Sequence, residues 1–478
     1  MLELEPDLEV KRAERLVARN FLALGTGELF ARLVAFAATI YLARTLGAEY
    51  YGMIGFATAV VLYLSRLADA GMDLGVGVNV VAADPARLSK VAPTLLTIRV
   101  LVAALLSGAL AVVGLTVFPQ PDGAVLALYG LTLLAVGASS RWIYLGLEQA
   151  SRVAAVRTGG ELLMALLVFF LVRGPADIGR APLAQFAGDA LAALLLLGEL
   201  LRRGYRLRPR LDSAVVRGIL PRAAPMVAAS ILGLMIYNSD LVFLRFMEGT
   251  ASVGYYAAAY TLVSFLSNIG IAYALSLLPT LTRLHGTRDQ QQRLYHTAVA
   301  HVFAATLPVA LGGTVLAGGI IALVFGGAYL DSGVALRVLV WAIPASVLRD
   351  IAIVALMAAG RERRILELTA GAAALNLVLN LLLIPRFSLT GAAVATVATE
   401  VVRMVAALVL ARAEGLRTPG LHRFWKATLA GAAMTLVLLL LRPTALWVAI
   451  SVSALVFALG LTLTGALRLR GGRICVSL

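Results

Sequence analysis

The chain has 478 residues, 60% of them hydrophobic and only 14% charged, with a mean hydropathy of +0.91. Soluble domains carry near a quarter charged residues, so this composition excludes a soluble globular enzyme and points to a membrane protein. The formal net charge of +15 would suggest a nucleic-acid partner in a soluble chain, but here the basic residues fall between apolar runs, as the positive-inside rule produces, and no nucleic acid is expected.

A charged tail from Glu3 to Arg19 opens the chain, and the first apolar run is long enough to stay as an anchor rather than be cleaved. The apolar runs predict spans over 20–43, 51–71, 91–118, 122–142, 153–173, 180–201, 219–243, 252–277, 297–325, 334–359, 364–385, 388–411, 424–441 and 444–466. Breaks separate them at Pro119 to Asp122, Gly174-Pro175, Gly326-Gly327, Ile384-Pro385 and Arg442-Pro443. Fourteen spans of about 21 residues leave about a dozen residues per connection, too few for an extramembrane catalytic or nucleotide-binding domain. The expected fold class is an all-α polytopic membrane protein: two pseudo-symmetric six-helix bundles plus two C-terminal helices.

The basic residues test this topology. With basic residues within about a turn of a span end counted with the adjoining connection, 29 of the 41 Lys and Arg fall in alternate segments beginning with the N-terminal tail, 7 in the intervening connections and five deeper within spans. This alternation places both termini in the cytoplasm, in a cytoplasmic (inner) membrane. The densest basic segment, Arg202 to Arg222, reads as a linker. The expected organisation is therefore 1–210 as an N-terminal bundle with tail and linker, 211–415 as a C-terminal bundle, and 416–478 as two further helices with a cytoplasmic tail. The halves share a pattern: Leu46-Gly47 to Tyr50-Tyr51-Gly52 follows the first span, and Glu248-Gly249 to Gly254-Tyr255-Tyr256 and Tyr260 follows the seventh. Glu148 and Glu362 occupy matching places before the fifth and eleventh spans. Repeated halves with the substrate path between them are the usual build of secondary transporters. The tyrosines read as an outer interfacial belt.

Chemistry motifs are missing. There is no GxxxxGK[ST], HExxH or GxSxG, and no Asp-x-Asp pair; the lone Cys475 forms no CxxC motif. His296 and His301 are five apart, the wrong spacing for two ligands on one helical face. No catalytic residue, metal site or cofactor is expected, and the short outer loops argue against a membrane-embedded enzyme.

An intramembrane charge costs about 2.5–3.5 kcal/mol on insertion scales, so each needs a partner or an aqueous cavity. Glu28 with Arg32, Arg66 with Asp69, Arg157 with Glu161, and Glu400 with Arg403 are three or four apart and could neutralise one another as structural pairs. Arg99 has no partner on its own helix, and Arg349 has only its neighbour Asp350. Depth counted along the helices puts Arg32 near mid-membrane and Arg66, Arg99 and Arg349 in the cytoplasmic half. These four arginines could line one anion-binding vestibule, because the guanidinium fork grips phosphate oxygens in pairs. Asp189 and Asp240 lack close partners, except that Arg245 lies a turn beyond Asp240. Each is a candidate protonatable coupling site or a helix-packing hydrogen bonder. Asn376 and Asn380 read as ties between helices. The last two spans, uncharged over 427–441 and 444–465, read as lipid-facing additions.

Four stretches in order resemble a known family: Leu46-Gly47 to Gly52; Leu67-Ala68-Asp69-Ala70-Gly71; Asp240-Leu-Val-Phe-Leu to Gly254-Tyr255-Tyr256-Ala257-Ala258-Ala259-Tyr260; and Gly360-Arg361-Glu362-Arg363 with Leu375-Asn376, Asn380, Ile384-Pro385 and Gly391 to Ala395-Thr396. The chain resembles the polysaccharide transporters (O-antigen and exopolysaccharide repeat-unit flippases) of the multidrug/oligosaccharidyl-lipid/polysaccharide flippase superfamily, over spans 1–12. Family members often carry Tyr-Gly where Phe387-Ser388 stands. The resemblance implies a flippase moving polyprenyl-pyrophosphate-linked sugars from the inner to the outer leaflet by alternating access, with the lipid bilayer and polysaccharide polymerase or export machinery as partners. Arg32, Arg66, Arg99 and Arg349 would then hold the pyrophosphate. Glu28, Asp69, Asp189, Asp240 and Glu400 would be the candidates for coupling or gating, driven by protons, sodium ions or membrane potential. Fourteen spans also resemble the lipid II flippase branch, which keeps the peptidoglycan precursor open as substrate. A multidrug or cation antiporter on the same fold is the third reading, disfavoured by unpaired intramembrane charges that lean basic.

Overall fold

The structure, a computed structural model, describes the backbone of residues 5–73, 75–84, 88–205, 207–284, 286–420, 424–441, 445–470 and 473–476, and the side chains of these except 5–29, 220 and 467–476. The Glu28 side chain and the break at Arg442-Pro443 therefore lie outside the described residues.

The protein is an all-helical polytopic membrane protein. Eleven helices among the described residues are long and apolar enough to cross a membrane. Two of them, α1 (Glu5–Asp69) and α14 (Glu362–Ala413), bend sharply inside and supply two segments each, and the shorter apolar helix α15 (Trp425–Leu440) completes the fourteen spans. The helical form follows from the solvent: hydrocarbon offers no hydrogen-bond partner, so each backbone group must be satisfied within its own helix. Outside this plan stands a short antiparallel pair, β1 (Leu467–Arg470) and β2 (Arg473–Val476), with Leu467 opposite Val476.

The chain divides into two compact units, Met1–Ile231 and Leu232–Leu478. After α1, the first unit contains α2 (Val76–Ala83), α3 (Leu88–Val117), α4 (Asp122–Gly130), α5 (Thr132–Ala138), α6 (Arg141–Gly146), α7 (Ala150–Leu171), α8 (Arg180–Arg202) and the first part of α9 (Ser213–Met247). The second contains the rest of α9, α10 (Thr250–Arg283), α11 (Arg288–Phe325), α12 (Ser332–Leu339), α13 (Ala342–Ala358), α14, α15 and α16 (Leu446–Leu463).

The internal repeat is visible in the breaks. The turn after the first span is made at Gly47 (φ 81°, ψ 169°), and the turn after the seventh at Gly249 (φ 92°, ψ 179°). This backbone region is open essentially to glycine alone, which explains why both halves carry one there. The fourth span of each half is built in pieces, α4–α6 in the first unit and α12–α13 in the second.

The first unit's core gathers Met72, Trp142, Ile143, Tyr144 and Leu200 against Ile219 and Ala223, and the Tyr144 hydroxyl donates to the Leu196 carbonyl at 2.8 Å. Helices α7 and α8 cross at Gly160 and Gly188, where an added Cβ would sit 2.5–2.6 Å from the opposing carbonyl oxygen. In the second unit, α15 and α16 pack through Ala430, Met434, Leu438, Ala449 and Phe457 onto Leu307, Leu311 and Val315 of α11. Leu436, Leu440, Trp447 and Leu463 are exposed on that pair, consistent with a lipid-facing addition. The tyrosine belt is corrected in part. Tyr51 and Tyr256 are buried, because their positions face helix neighbours rather than the membrane edge.

Candidate functional site

Asp69 ends α1, and its two carboxylate oxygens accept the Asp73 N–H at 3.2 Å each, closing the turn that follows. The same carboxylate meets the Arg99 guanidinium at 3.1 Å. Arg99 stands mid-way along α3 and is 1% exposed. It donates to the Ser139 carbonyl at 2.8 Å and the Val136 carbonyl at 2.8 Å, at the frayed C-terminal end of α5. Arg99, without a partner on its own helix, is thus held by α1 and by the end of α5. Asp69 pairs with it rather than serving Arg66 alone, and the Arg66 Nε is buried without a hydrogen-bond partner among the described residues. Arg32 is exposed on α1.

Beside this pair lies a cavity of about 390 Å³ within the first unit. Its lining includes Asp73, Arg99, Arg141, Arg157, Glu161 and Asp189. Arg157 and Glu161 approach to 3.9 Å, the loose pair expected from their spacing, and Asp189 accepts a hydrogen bond from Gln185 at 3.1 Å. The cavity is therefore polar but of mixed sign.

In the second unit, Arg349 on α13 is 3% exposed and central to an ionic cluster. Its Nε and Nη2 donate to Asp350 Oδ1 at 3.0 and 2.6 Å, and Nη1 donates to the Tyr237 hydroxyl at 2.6 Å and to Glu400. Glu400, fully buried, also accepts from Arg403 at 2.6 Å, the pair expected three residues apart. Arg403 shares the Tyr237 hydroxyl at 2.9 Å. Two arginines and two carboxylates balance, so the cluster is locally neutral. Arg349 was expected to have Asp350 alone; Glu400 and Tyr237 come from other helices.

Asp240 is fully buried on α9, and its partners are all uncharged. Asn380 Nδ2 donates at 2.5 Å, the Tyr256 hydroxyl at 2.5 Å, and the Thr396 hydroxyl donates to the same oxygen as Tyr256. Ser239 donates to Asn376 Oδ1 at 2.9 Å, and Asn380 to Asn376 at 3.0 Å, so both asparagines do tie α14 to α9. Asn380 Oδ1 is buried without a partner among the described residues. Outside the spans, Glu414 accepts from Arg361 at 2.7 and 3.1 Å, which holds that guanidinium proton more firmly than usual.

Of the four arginines expected together, Arg32, Arg66 and Arg99 belong to the first unit and Arg349 to the second. The five carboxylates divide by surroundings: Asp69 and Glu400 are ion-paired, Asp189 and Asp240 accept from uncharged donors, and the Glu28 side chain lies outside the described residues. Tyr237, Thr396 and Gln185 escaped the sequence reading, because a tyrosine, threonine or glutamine in an apolar run carries no charge to flag it.

Comparison with known proteins places this geometry. The polysaccharide biosynthesis protein family matches residues 17–285, and the lipid II flippase MurJ family matches residues 162–466, each over more than half of the chain. A protein named for O-antigen transport in Escherichia coli (strain K12) is 25% identical over 237 residues, 48% of this chain and 56% of that one. The chain thus spans little more than half the length of that relative. Among solved structures, a lipid II flippase MurJ in an inward closed conformation gives a TM-score of 0.79 at 13% identity, covering 93% of this chain and 98% of that one. An inward-facing multidrug resistance MATE family transporter gives 0.64 at 16% identity, covering 81% and 94%. At these identities the structural likeness shows the shared fold.

Proposed function

The chain belongs to the polysaccharide biosynthesis and lipid II flippase families of the multidrug/oligosaccharidyl-lipid/polysaccharide flippase superfamily, and from that premise we propose that it carries a polyprenyl-pyrophosphate-linked oligosaccharide from the inner to the outer leaflet of the cytoplasmic membrane. The families are transporters rather than enzymes. The observation that carries the oligosaccharide reading is the family match over 17–285, joined by the O-antigen-transport relative. Both termini face the cytoplasm in this proposal, on the strength of the 29 basic residues that alternate with 7.

Within it, Arg32 and Arg66 contact the pyrophosphate. Arg32 is exposed and Arg66 keeps a buried Nε with no hydrogen-bond partner among the described residues; both Nη groups of Arg99 and all three nitrogens of Arg349 donate to neighbours, which suits those two to positioning. Coupling falls to Asp240. A buried carboxylate with only neutral partners is costly unless it takes up a proton or a cation, and the unpartnered Asn380 Oδ1 beside it offers a second oxygen for a sodium ion. A polysaccharide polymerase would take the product at the outer leaflet.

The second reading, lipid II as substrate, is favoured by the family match over 162–466, which extends through the two C-terminal spans. One experiment separates them. The chain is reconstituted into vesicles with a fluorescent lipid-linked oligosaccharide or, separately, fluorescent lipid II, and dithionite reports which lipids have reached the outer face. Faster loss of the oligosaccharide signal, slowed by Arg32→Ala/Arg66→Ala, is expected. Lipid II moving while the oligosaccharide does not would move the assignment to the second reading, and neither moving would end the flippase reading.

A further inference from the structure

The two segments of α14 fold back on each other at Ser388, so the helix start at Glu362 and its end at Ala413 form the open end of a hairpin. Between the segments lies a crevice of about 380 Å³. Its walls are apolar: Leu368, Val402, Val409 and Leu410, with Val402 49% and Val409 61% exposed. Arginines stand at two depths along it. Arg364, two residues into the helix, lies at the mouth, where it and Arg363 share the single carboxylate of Glu367 at 3.4 and 3.1 Å. Two guanidinium groups on one carboxylate leave the mouth positive. Arg403 lies ten residues before Ala413, so about 15 Å further in at 1.5 Å per residue. It is 8% exposed, and its Nε has no hydrogen-bond partner among the described residues although Nη1 serves Glu400 and Tyr237.

An apolar groove with a positive mouth and an unpartnered guanidinium N–H at its floor suits one chemistry, a phosphate group carried on a hydrocarbon chain. Arginine binds phosphate oxygens through paired, charge-assisted hydrogen bonds, and the valine wall accepts the chain. Inorganic phosphate would gain nothing from that wall. A phospholipid resting in the leaflet would bring its phosphate to Arg364 and stop, whereas a headgroup that reaches Arg403 has left the polar layer. We propose that this crevice is the track along which the diphosphate headgroup of the lipid-linked substrate leaves its leaflet, passing from Arg364 to Arg403 with its chain along Val402 and Val409. The proposal rests on the flippase reading above.

The test uses the purified full-length chain and bare undecaprenyl diphosphate as the probe, with bound lipid counted by native mass spectrometry. Gly371 lines the crevice, and a Cβ there meets no atom within 4 Å, so Gly371→Ala leaves the track open while the ring of Gly371→Phe takes up part of it. Gly371→Phe is expected to weaken binding about tenfold, and Arg364→Gln by a similar factor through loss of one charge-assisted contact, with Gly371→Ala unchanged. Phosphatidylglycerol in equal amount is expected to leave the bound diphosphate in place. Binding by Gly371→Phe equal to that of the native chain overturns the track and leaves the flippase reading intact. One-for-one displacement by phosphatidylglycerol makes the crevice an ordinary phospholipid site. Failure of the native chain to bind undecaprenyl diphosphate at all overturns the flippase reading and the track together.

Discussion

Replacing Asp69 by Asn tests whether Arg99 is a structural cation or a free ligand for phosphate. Arg99 and Asp69 are 1% and 4% exposed and 3.1 Å apart. The substitution leaves a buried guanidinium facing only the Ser139 and Val136 carbonyls. Breaking a buried pair by removing one partner costs about 3–5 kcal/mol, and the two carbonyl bonds, which survive, place the loss near the lower end of that range. For a unit the size of Met1–Ile231, about 3 kcal/mol lowers Tm by about 6–12 °C. Arg99→Met should cost at least as much, since it leaves the Asp69 carboxylate without its counter-charge and removes the Arg99 bonds to the Ser139 and Val136 carbonyls. The double variant removes both charges, so its loss should fall short of the sum of the singles by about 2–3 kcal/mol. The assay is thermal unfolding in detergent followed by tryptophan fluorescence, for which Trp142 in the same unit's core is a reporter. An unchanged Tm for Asp69→Asn, or strictly additive losses in the double, would refute the pair as a structural element and return Arg99 to substrate binding.

Three further outcomes are expected. Ser388 holds φ 48° and ψ −127°, a conformation suited to glycine, so Ser388→Gly should raise stability by about 1 kcal/mol in a chemical-denaturation series; a decrease would show that the serine side chain holds the turn. Gly249→Ala should cost about 1–3 kcal/mol through backbone strain alone, because its Cβ would meet no atom within 4 Å; a neutral result in the same series would mean the turn relaxes. Asp240→Asn should slow transport into vesicles and remove its dependence on an imposed proton or sodium gradient, and retained gradient dependence would locate coupling elsewhere.

The sequence resolves the protein along the chain and fails across it. Apolar runs of about 20 residues are a one-dimensional signal, and the fourteen spans followed from them. Glu400 with Arg403 and Arg157 with Glu161 were legible because helical geometry fixes which residues share a face. Arg99 with Asp69, Arg349 with Glu400 and Asp240 with Asn380 were not. These partners lie 30, 51 and 140 residues apart, and only helix packing decides that they meet. The serine at 388, noted where relatives carry glycine, became meaningful once its backbone angles were known.

The broken fourth span of the first unit bears on how its helices sit in lipid. Where α5 ends, the Ser139 carbonyl has no further turn of that helix to bond it, and in hydrocarbon such a group finds no water. Arg99, an unfavourable residue when α3 stands alone in lipid, supplies that donor and adds a second bond to the Val136 carbonyl, which already accepts the Ser139 N–H. Each element thus relieves the other's defect, and neither is comfortable in the bilayer without its neighbour. The third and fourth spans are therefore more stable in lipid as a hairpin than singly, and Asp69 completes the charge balance of that hairpin.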